Sequence, residues 1–557
     1  MTGTGRLGSS GKFRFHQRQL REGLVGKWSG TGEGWGVDGD EVPDGLTAAE
    51  AGMWQAFRNG SEYDLRIGSA EEDDANGSSP WGPERTVRAR IVALLLLSGP
   101  HPLPGRAAAL KITGVRIDGP LDLSNSQIDV PVEVRGCRFE KPVRLVDCHM
   151  RTVIFHGCAI PALEAARLAT TGDLQLSSCT VQDGISMPQA QIGTDLTVNL
   201  LRLYSDRRDK AWNGDGMNVT QDLNAEGLSS QGMISLRGAR IGGQLSFRGA
   251  SLRHPHGRWA LNAPRMVVEE SLVISAMAEL DTPDTGNGIP TRLARMRRAE
   301  VHGGILLDGA TFGNSLVVDH VRLHLTDDQE MSLRSIQAPE LRFMPDRPER
   351  GRINLTNAIV SRLVDRADSW PGPGQLNLQG FTYETLIPGG PFPLRARLAW
   401  LADATPEYSP EPYDRLAASL RASGEDLGAN EVILAKLRRR RASLPLVLRA
   451  WDGFQDVALG YGYRPARGLF WLLSLWLAGS LWFASSPPPP LSTEESPHWQ
   501  PAIYTLDLLL PVLNLGQEAA WRTSGASQWI ALSLVILGWL LATILTAGAA
   551  AVILRRN

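Results

Sequence analysis

Few side chains in this chain have both the type and the spacing that chemistry needs. Four cysteines, Cys137, Cys148, Cys158 and Cys179, are enough in number for a tetrahedral thiolate site. His254 and His256 flank a proline, with His302, His320 and His324 further on. None of these is read as half of a helical ligand pair, and the first two fit an exposed turn. Acidic residues such as Asp118, Asp122, Asp173 and Asp183 are scattered, without the paired carboxylates of general acid–base catalysis. No Gly-x-Ser-x-Gly elbow, phosphate loop ending in Gly-Lys-Ser/Thr or strand-borne dinucleotide fingerprint occurs. The remaining candidate is Asp507, a carboxylate inside the apolar run 503–515 that also holds Pro511 and Asn514. An acid there could meet a cation in a pore. The sequence thus points to no catalytic group, no metal site and no cofactor.

The elements that position these residues are written as a repeat. Ile117, Ile128, Phe139 and Met150 lie eleven residues apart, and Thr170, Val181, Ile192 and Leu203 keep the spacing. Val219, Ser230, Ile241 and Leu252 follow it, and later Val301, Phe312 and Leu323. The fifth and seventh places of each unit are apolar (Leu121 and Leu123, Leu245 and Phe247, Ile305 and Leu307) and the tenth is small. An exact repeat with period-two alternation predicts a right-handed β-helix, a β-solenoid. Each 11-residue unit would make one strand and one turn, with ~22 residues per coil. All four cysteines occupy the tenth place, where other units have Ser126, Ala190, Ala239, Ala250 and Ala310. Cys137, Cys158 and Cys179 should therefore form an inward ladder one coil apart, with Cys148 on another face. That geometry cannot close around a metal.

With 557 residues, several domains are expected. Lys plus Arg (57) nearly cancels Asp plus Glu (59), which gives no drive toward nucleic acid. Few cysteines suit a reducing compartment, and no apolar leader is read in the first thirty residues. Residues 1–44 read as a disordered tail. Residues 45–110 form a helical cap, opened by a capping box at Thr47 and Glu50 and holding a second helix over 85–98. The β-helix spans 111–390, with insertions at 204–218, 255–264 and 280–291. A juxtamembrane helical region, 391–460, contains a helix over 413–441. Residues 461–557 form a transmembrane region with spans at 468–484 and 529–554 and a re-entrant segment at 503–515.

Arg464 and Arg467 precede the first span, and Arg555 and Arg556 follow the second. Between the spans Glu494, Glu495, Asp507 and Glu518 face a single Arg522. The N- and C-termini are therefore expected on the cytoplasmic side of the cell membrane. The basic run Lys436, Arg438, Arg439, Arg440 and Arg441 would lie on the anionic inner leaflet, each charge gaining about 1 kcal/mol. Span, short apolar hairpin and span is also the plan of cation-channel pores, though no Thr-Val-Gly-Tyr-Gly filter is present.

Three stretches carry a family resemblance: 459–467 (LGYGYRPAR), the helix opening at Tyr413 and ending in Arg438–Arg441, and 504–511 (YTLDLLLP) followed by NLGQE at 514–518. Together they resemble bacterial membrane-associated proteins that join a pentapeptide-like β-helix to a two-span C-terminal region, often labelled membrane-associated oxidoreductases. The resemblance implies a membrane protein of that plan and transfers no functional residue. The function expected from the residues is a non-enzymatic, membrane-anchored scaffold that binds an unidentified protein partner and forms homo-oligomers. A channel with a β-helix sensor is the alternative from the transport class, and oxidoreductase activity follows from the family label only.

Overall fold

In this computed structural model residues 43–205, 210–279, 295–404, 408–441, 445, 448–449, 453, 465–491, 498–510 and 515–554 are described. The expected tail lies outside them except for its last two residues, as do Pro511, Asn514, Arg464, Arg555, Arg556 and insertion 280–291. The chain divides into two compact units, Met1–Asn262 and Ala263–Asn557.

The first unit opens with α1 (Ala48–Asn59), whose capping box is formed. Glu50 N donates to Thr47 Oγ1 (3.2 Å) and Thr47 N donates to Glu50 Oε2 (2.9 Å). Met53, Trp54 and Phe57 are buried beneath it. The helix stops at Gly60, where φ is +63° and an added Cβ would lie 2.2 Å from Ala107 O, so no other residue fits. Next come β1 (Tyr63–Asp64), β2 (Thr86–Arg88), α2 (Ala89–Ser98), β3 (Leu110–Thr113) and β4 (Arg116–Asp118). The helix expected over 85–98 is thus shorter than its apolar spacing suggested. Thr86, Val87 and Arg88 are extended because they pair in parallel with Arg116, Ile117 and Asp118; a non-local ladder overrides the local preference. Tyr63 and Asp64 likewise pair with Ile112 and Thr113. The cap therefore adds strands to the first coil as well as covering it. Val92 and Leu96 of α2 meet Leu110, Ile117, Leu121 and Leu123, leaving a void of about 10 Å³, at the lower bound for one water.

Three parallel ladders follow. In one, Leu110 pairs with Val132, Val132 with Val153, Val153 with Leu174 and Leu174 with Leu196. Successive partners therefore lie 21 or 22 residues apart. A second ladder links Arg138, Ala159, Thr180 and Arg202, and a third links Leu121, Val143, Leu163 and Ile185. Where insertion 204–218 intervenes, Leu196 pairs with Leu223 and Ile185 with Trp212. Residues 210–213 and 218, inside the expected insertion, are thus themselves members of the ladders, and the register shifts between Lys210 and Trp212. Trp212 itself is buried in the widened coil.

Each coil is more angular than one strand per eleven residues would make it. β4 is followed at once by a short strand, Leu121–Asp122, then Gln127–Ile128 and Val132–Arg135. Left-handed corners separate these segments at Asn125, Gly136, Asp147, Gly157, Arg167, Ser178, Gln189 and Leu200. Leu121, Leu123, Leu245 and Phe247 all point inward, none more than 5% exposed. Burying one such side chain stabilises by about 1.5–3 kcal/mol, whereas exposed pairs such as Arg167–Asp147 contribute about 0–1 kcal/mol. The inward columns, not the surface charges, hold the stack.

The second unit also contains long parallel sheets. Leu272 pairs with Leu316, Leu316 with Leu341, Leu341 with Leu363 and Leu363 with Leu386. Met277–Glu279 and Arg295–Arg297 leave the stack as an antiparallel pair. The last coil is closed by α3 (Leu394–Ala404). Its Arg397 makes a bidentate pair with Asp365 (2.5 and 2.8 Å), both side chains at most 5% exposed. Trp370 Nε1 donates to the same carboxylate (2.8 Å), and Phe392 faces the guanidinium at 3.6 Å. The helix expected over 413–441 is two, α4 (Glu411–Ala422) and α5 (Asp426–Arg441). Gly424, at φ +80°, breaks it, and Glu425 N returns to Leu420 O (2.8 Å) as in a Schellman turn. Then follow α6 (Pro465–Ser485), α7 (Pro501–Leu509) and α8 (Ala526–Leu554). Two of these, α6 and α8, are long and apolar enough to cross a membrane.

Candidate functional site

The cysteines fall where a stacked column puts them. All four are buried. Cys158 N donates to Cys179 Sγ (3.4 Å), Cys158 Sγ to Val134 O (3.3 Å), and Cys148 Sγ meets Ser126 Oγ on the other face (3.3 Å). Burial pushes the Cys158 thiol well up, with its neighbour Cys137 adding to the shift. Cys179 is raised by its contact with Cys158 and by burial. These thiols are held neutral, the opposite of what a nucleophile or metal ligand needs. Among the described residues no group of three or more His, Cys, Asp or Glu side chains is arranged to hold a metal ion. His254 Nδ1 lies 2.8 Å from Trp259 O across its own turn, and His302 and His324 stack at 4.2 Å on paired strands.

The basic run sits on the last turns of α5, and part of it faces the helices beside it. Lys436 Nζ bonds both carboxylate oxygens of Asp414 in α4, each at 2.6 Å. Arg439 Nη1 donates to Tyr413 Oη (2.9 Å) and to Leu401 O of α3 (3.2 Å). Arg438 and Arg440 are exposed and Arg441 is half-buried. The run is therefore divided between packing and surface, which its charge pattern alone does not reveal.

Asp507 has the most organised surroundings of the predicted residues. It lies on α7 and is 5% exposed. Its Oδ1 accepts from Leu515 N (2.7 Å) and its Oδ2 from Gln517 N and Glu518 N (both 2.8 Å). One carboxylate thus gathers three amides of the chain that follows the helix. The two ends of the intervening segment come together: Pro490 bridges Trp521, Leu491 N donates to Ala520 O (3.0 Å) and Arg522 N to Pro489 O (2.9 Å). The stretch between α6 and α8 consequently leaves and returns at one end of the helical pair.

Sequence reading missed the residues that seat α7. Gly479 of α6 faces it: a Cβ there would fall 2.5 Å from Thr505 Cγ2. Gly538 of α8 faces its other side, 2.3 Å from Leu509 O by the same construction. Small residues at such crossings are the usual device for close packing in apolar helices. Trp476 Nε1 donates to Ala502 O (2.9 Å), and Trp499 packs on Trp521 with ring centres 4.7 Å apart. Glycines within two apolar helices were the available signal.

Comparison with protein-family models, with curated proteins and with solved structures gives no match for this chain.

Proposed function

We propose that this protein is a membrane-anchored scaffold. In this reading a right-handed β-helix of 11-residue units stands in the cytoplasm and offers one flank to a protein partner. Right-handed winding is what parallel strands with short crossovers strongly favour. Helices α6 and α8 serve as the two spans, with both termini on the cytoplasmic side, the basic run of α5 at the inner leaflet, α7 as a re-entrant segment and the whole as a homo-oligomer. One observation carries the reading: α6 and α8 keep large apolar side chains outward (Phe470 66%, Leu481 64% and Ile536 57% exposed) although α7 has already packed between them. Such surface is stable in hydrocarbon and costly in water.

The channel alternative has less support, because the carboxylate of Asp507 is occupied by its own loop. The oxidoreductase alternative rests on the resemblance alone. Cross-linking in native membranes, followed by mapping of the linked peptides, tests the scaffold reading. Links from a partner to outward positions of the parallel sheets are expected. Purified protein that turns over a redox substrate, with no partner linked to the sheets, would overturn it.

A further inference from the structure

In the first unit the segment 62–74 passes over the corner of the first coils and leaves a cleft of about 700 Å³. Glu62, Arg66, Asp73 and Asp74 line one side; Thr113, Arg135 and His156 line the other, over Gly136 and Gly157. Thr113, Arg135 and His156 stand side by side on paired strands. The near wall is fixed from behind. Arg138 donates to the carbonyls of Ala75 (2.9 Å), Ser79 (3.1 Å), Asp74 (3.2 Å) and Gly77 (2.8 Å), and the guanidiniums of Arg85 and Arg138 both lie over Trp81. A wall held this firmly would lose little freedom when a ligand binds.

The floor is glycine where the fold does not require it. Gly136 and Gly157 are left-handed, at φ +52° and +63°, but Ser178 and Leu200 hold the same corner of the next coils at +58° and +56°. A Cβ at position 136 would meet nothing within 4 Å, and one at 157 only Gly136. Any side chain here would stand in the cleft, so glycine keeps the floor open.

The charges select the ligand. Arg66 is held bidentate by Asp64 (3.0 and 2.7 Å) and Arg135 by Glu133 (2.6 Å). Asp73 is taken by Arg85 (2.9 Å) and by the amides of Ile67 and Gly68. Among the described residues Glu62 accepts from the Thr113 hydroxyl (2.5 Å) and Asp74 from Asn76 N (2.9 Å). Both donors are neutral, and although Glu62 also feels the Arg66 charge, Arg66 is already engaged by Asp64. The acids Glu62, Asp64, Asp73, Asp74 and Glu133 therefore outnumber the guanidiniums of Arg66, Arg85 and Arg135. We propose that this cleft binds the guanidinium or ammonium group of a basic peptide segment, with Asp74 and Glu62 balancing its charge and the stem lying over Gly136 and Gly157. The inference rests on the scaffold reading and names the chemistry of the partner.

The test uses the full chain in neutral detergent and a labelled, end-blocked octapeptide of alternating glycine and arginine, followed by fluorescence anisotropy. A matching peptide with neutral citrulline in place of arginine should bind at least ~10-fold more weakly, as loss of one charge-assisted contact implies. Asp74→Asn, which keeps an oxygen for Asn76 N, and Gly136→Asn, which fills the floor, should each weaken the arginine peptide ~5–10-fold on the same scale. Asp74 is exposed, so its variant keeps the test alive if Gly136→Asn folds poorly. Equal binding of the two peptides, or unchanged binding in Asp74→Asn, would overturn the proposal. Such a failure leaves the cross-linking test of the scaffold untouched. Peptide binding with no partner linked to the sheets would instead remove the scaffold and keep the cleft.

Discussion

Removing the Asp507 carboxylate should unfasten the segment between the two long helices. Its two oxygens serve three backbone donors at 2.7, 2.8 and 2.8 Å in a site 5% exposed. A hydrogen bond to a charged acceptor contributes about 1.5–3 kcal/mol, and a buried donor left without one costs about 1–3 kcal/mol. Neighbouring bonds do not add fully, so Asp507→Ala should cost about 3–6 kcal/mol. Asp507→Asn keeps one oxygen but turns an NH2 toward at least one donor, so about half that loss is expected. Trp499 and Trp521 are in contact beside this segment, so the part of the emission that is lost when both are replaced by phenylalanine, among sixteen tryptophans in all, reports on it locally during unfolding in detergent. Emission in both variants should shift to the red and lose its share of the unfolding transition, more so in Asp507→Ala. If Asp507→Ala unfolds within about 0.5 kcal/mol of the parent with unchanged emission, the carboxylate does not hold the segment. If Asp507→Asn instead alters conductance in reconstituted bilayers while emission stays the same, the pore reading replaces the anchoring one.

Two further outcomes are expected. Burial pushes the Glu50 carboxyl up, but Arg88 and the amides of Thr47 and Arg88 outweigh it and hold the group below its usual value of 4.5. Its stabilisation should therefore be full above that value and fade as pH falls through the lowered one. Glu50→Gln should cost about 2–3 kcal/mol at pH 7, read as faster hydrogen exchange in α1, with the gap to the parent closing as pH falls below 4.5 and through the lowered value; a gap that widens in acid would refute this. Gly538→Leu should displace α7, because the first added carbon would fall 2.3 Å from Leu509 O. Overpacking of this kind costs about 1–3 kcal/mol, and limited proteolysis should cut between α6 and α8 sooner; an unchanged digestion pattern would count against close packing there.

The sequence showed most clearly what depends on short-range periodicity. Leu121 and Leu123 alternate because strands do, and Cys137, Cys158 and Cys179 align because a stack repeats; both arrangements are present. The Thr47–Glu50 capping box is local in the same way. What escaped reading depends on partners far along the chain. Thr86–Arg88 is extended because of residues thirty positions later, and Asp365 is buried because Arg397 arrives to neutralise it. Side chains at left-handed corners, such as Arg167 and Leu200, contradict intrinsic preference and are tolerated because the coils on either side fix the backbone. Asp507 stands out in the sequence by its charge in an apolar run, but its donors, the amides of Leu515, Gln517 and Glu518, carry no side-chain signature. The cleft was invisible for a related reason, since it exists only where the cap folds back over the coils.

In the first unit every coil adds about 4.8 Å of height, and the longer step across 204–218 is absorbed by a register shift between Lys210 and Trp212 while the neighbouring ladder stays regular. Decorating such a stack and lengthening it are therefore separate evolutionary changes. Duplicating or deleting one whole rung would alter reach in fixed increments while the sealed end, with α2 lodged in the first opening, stayed as it is. The molecule has the makings of a gauge whose length can be reset without redesigning its terminus.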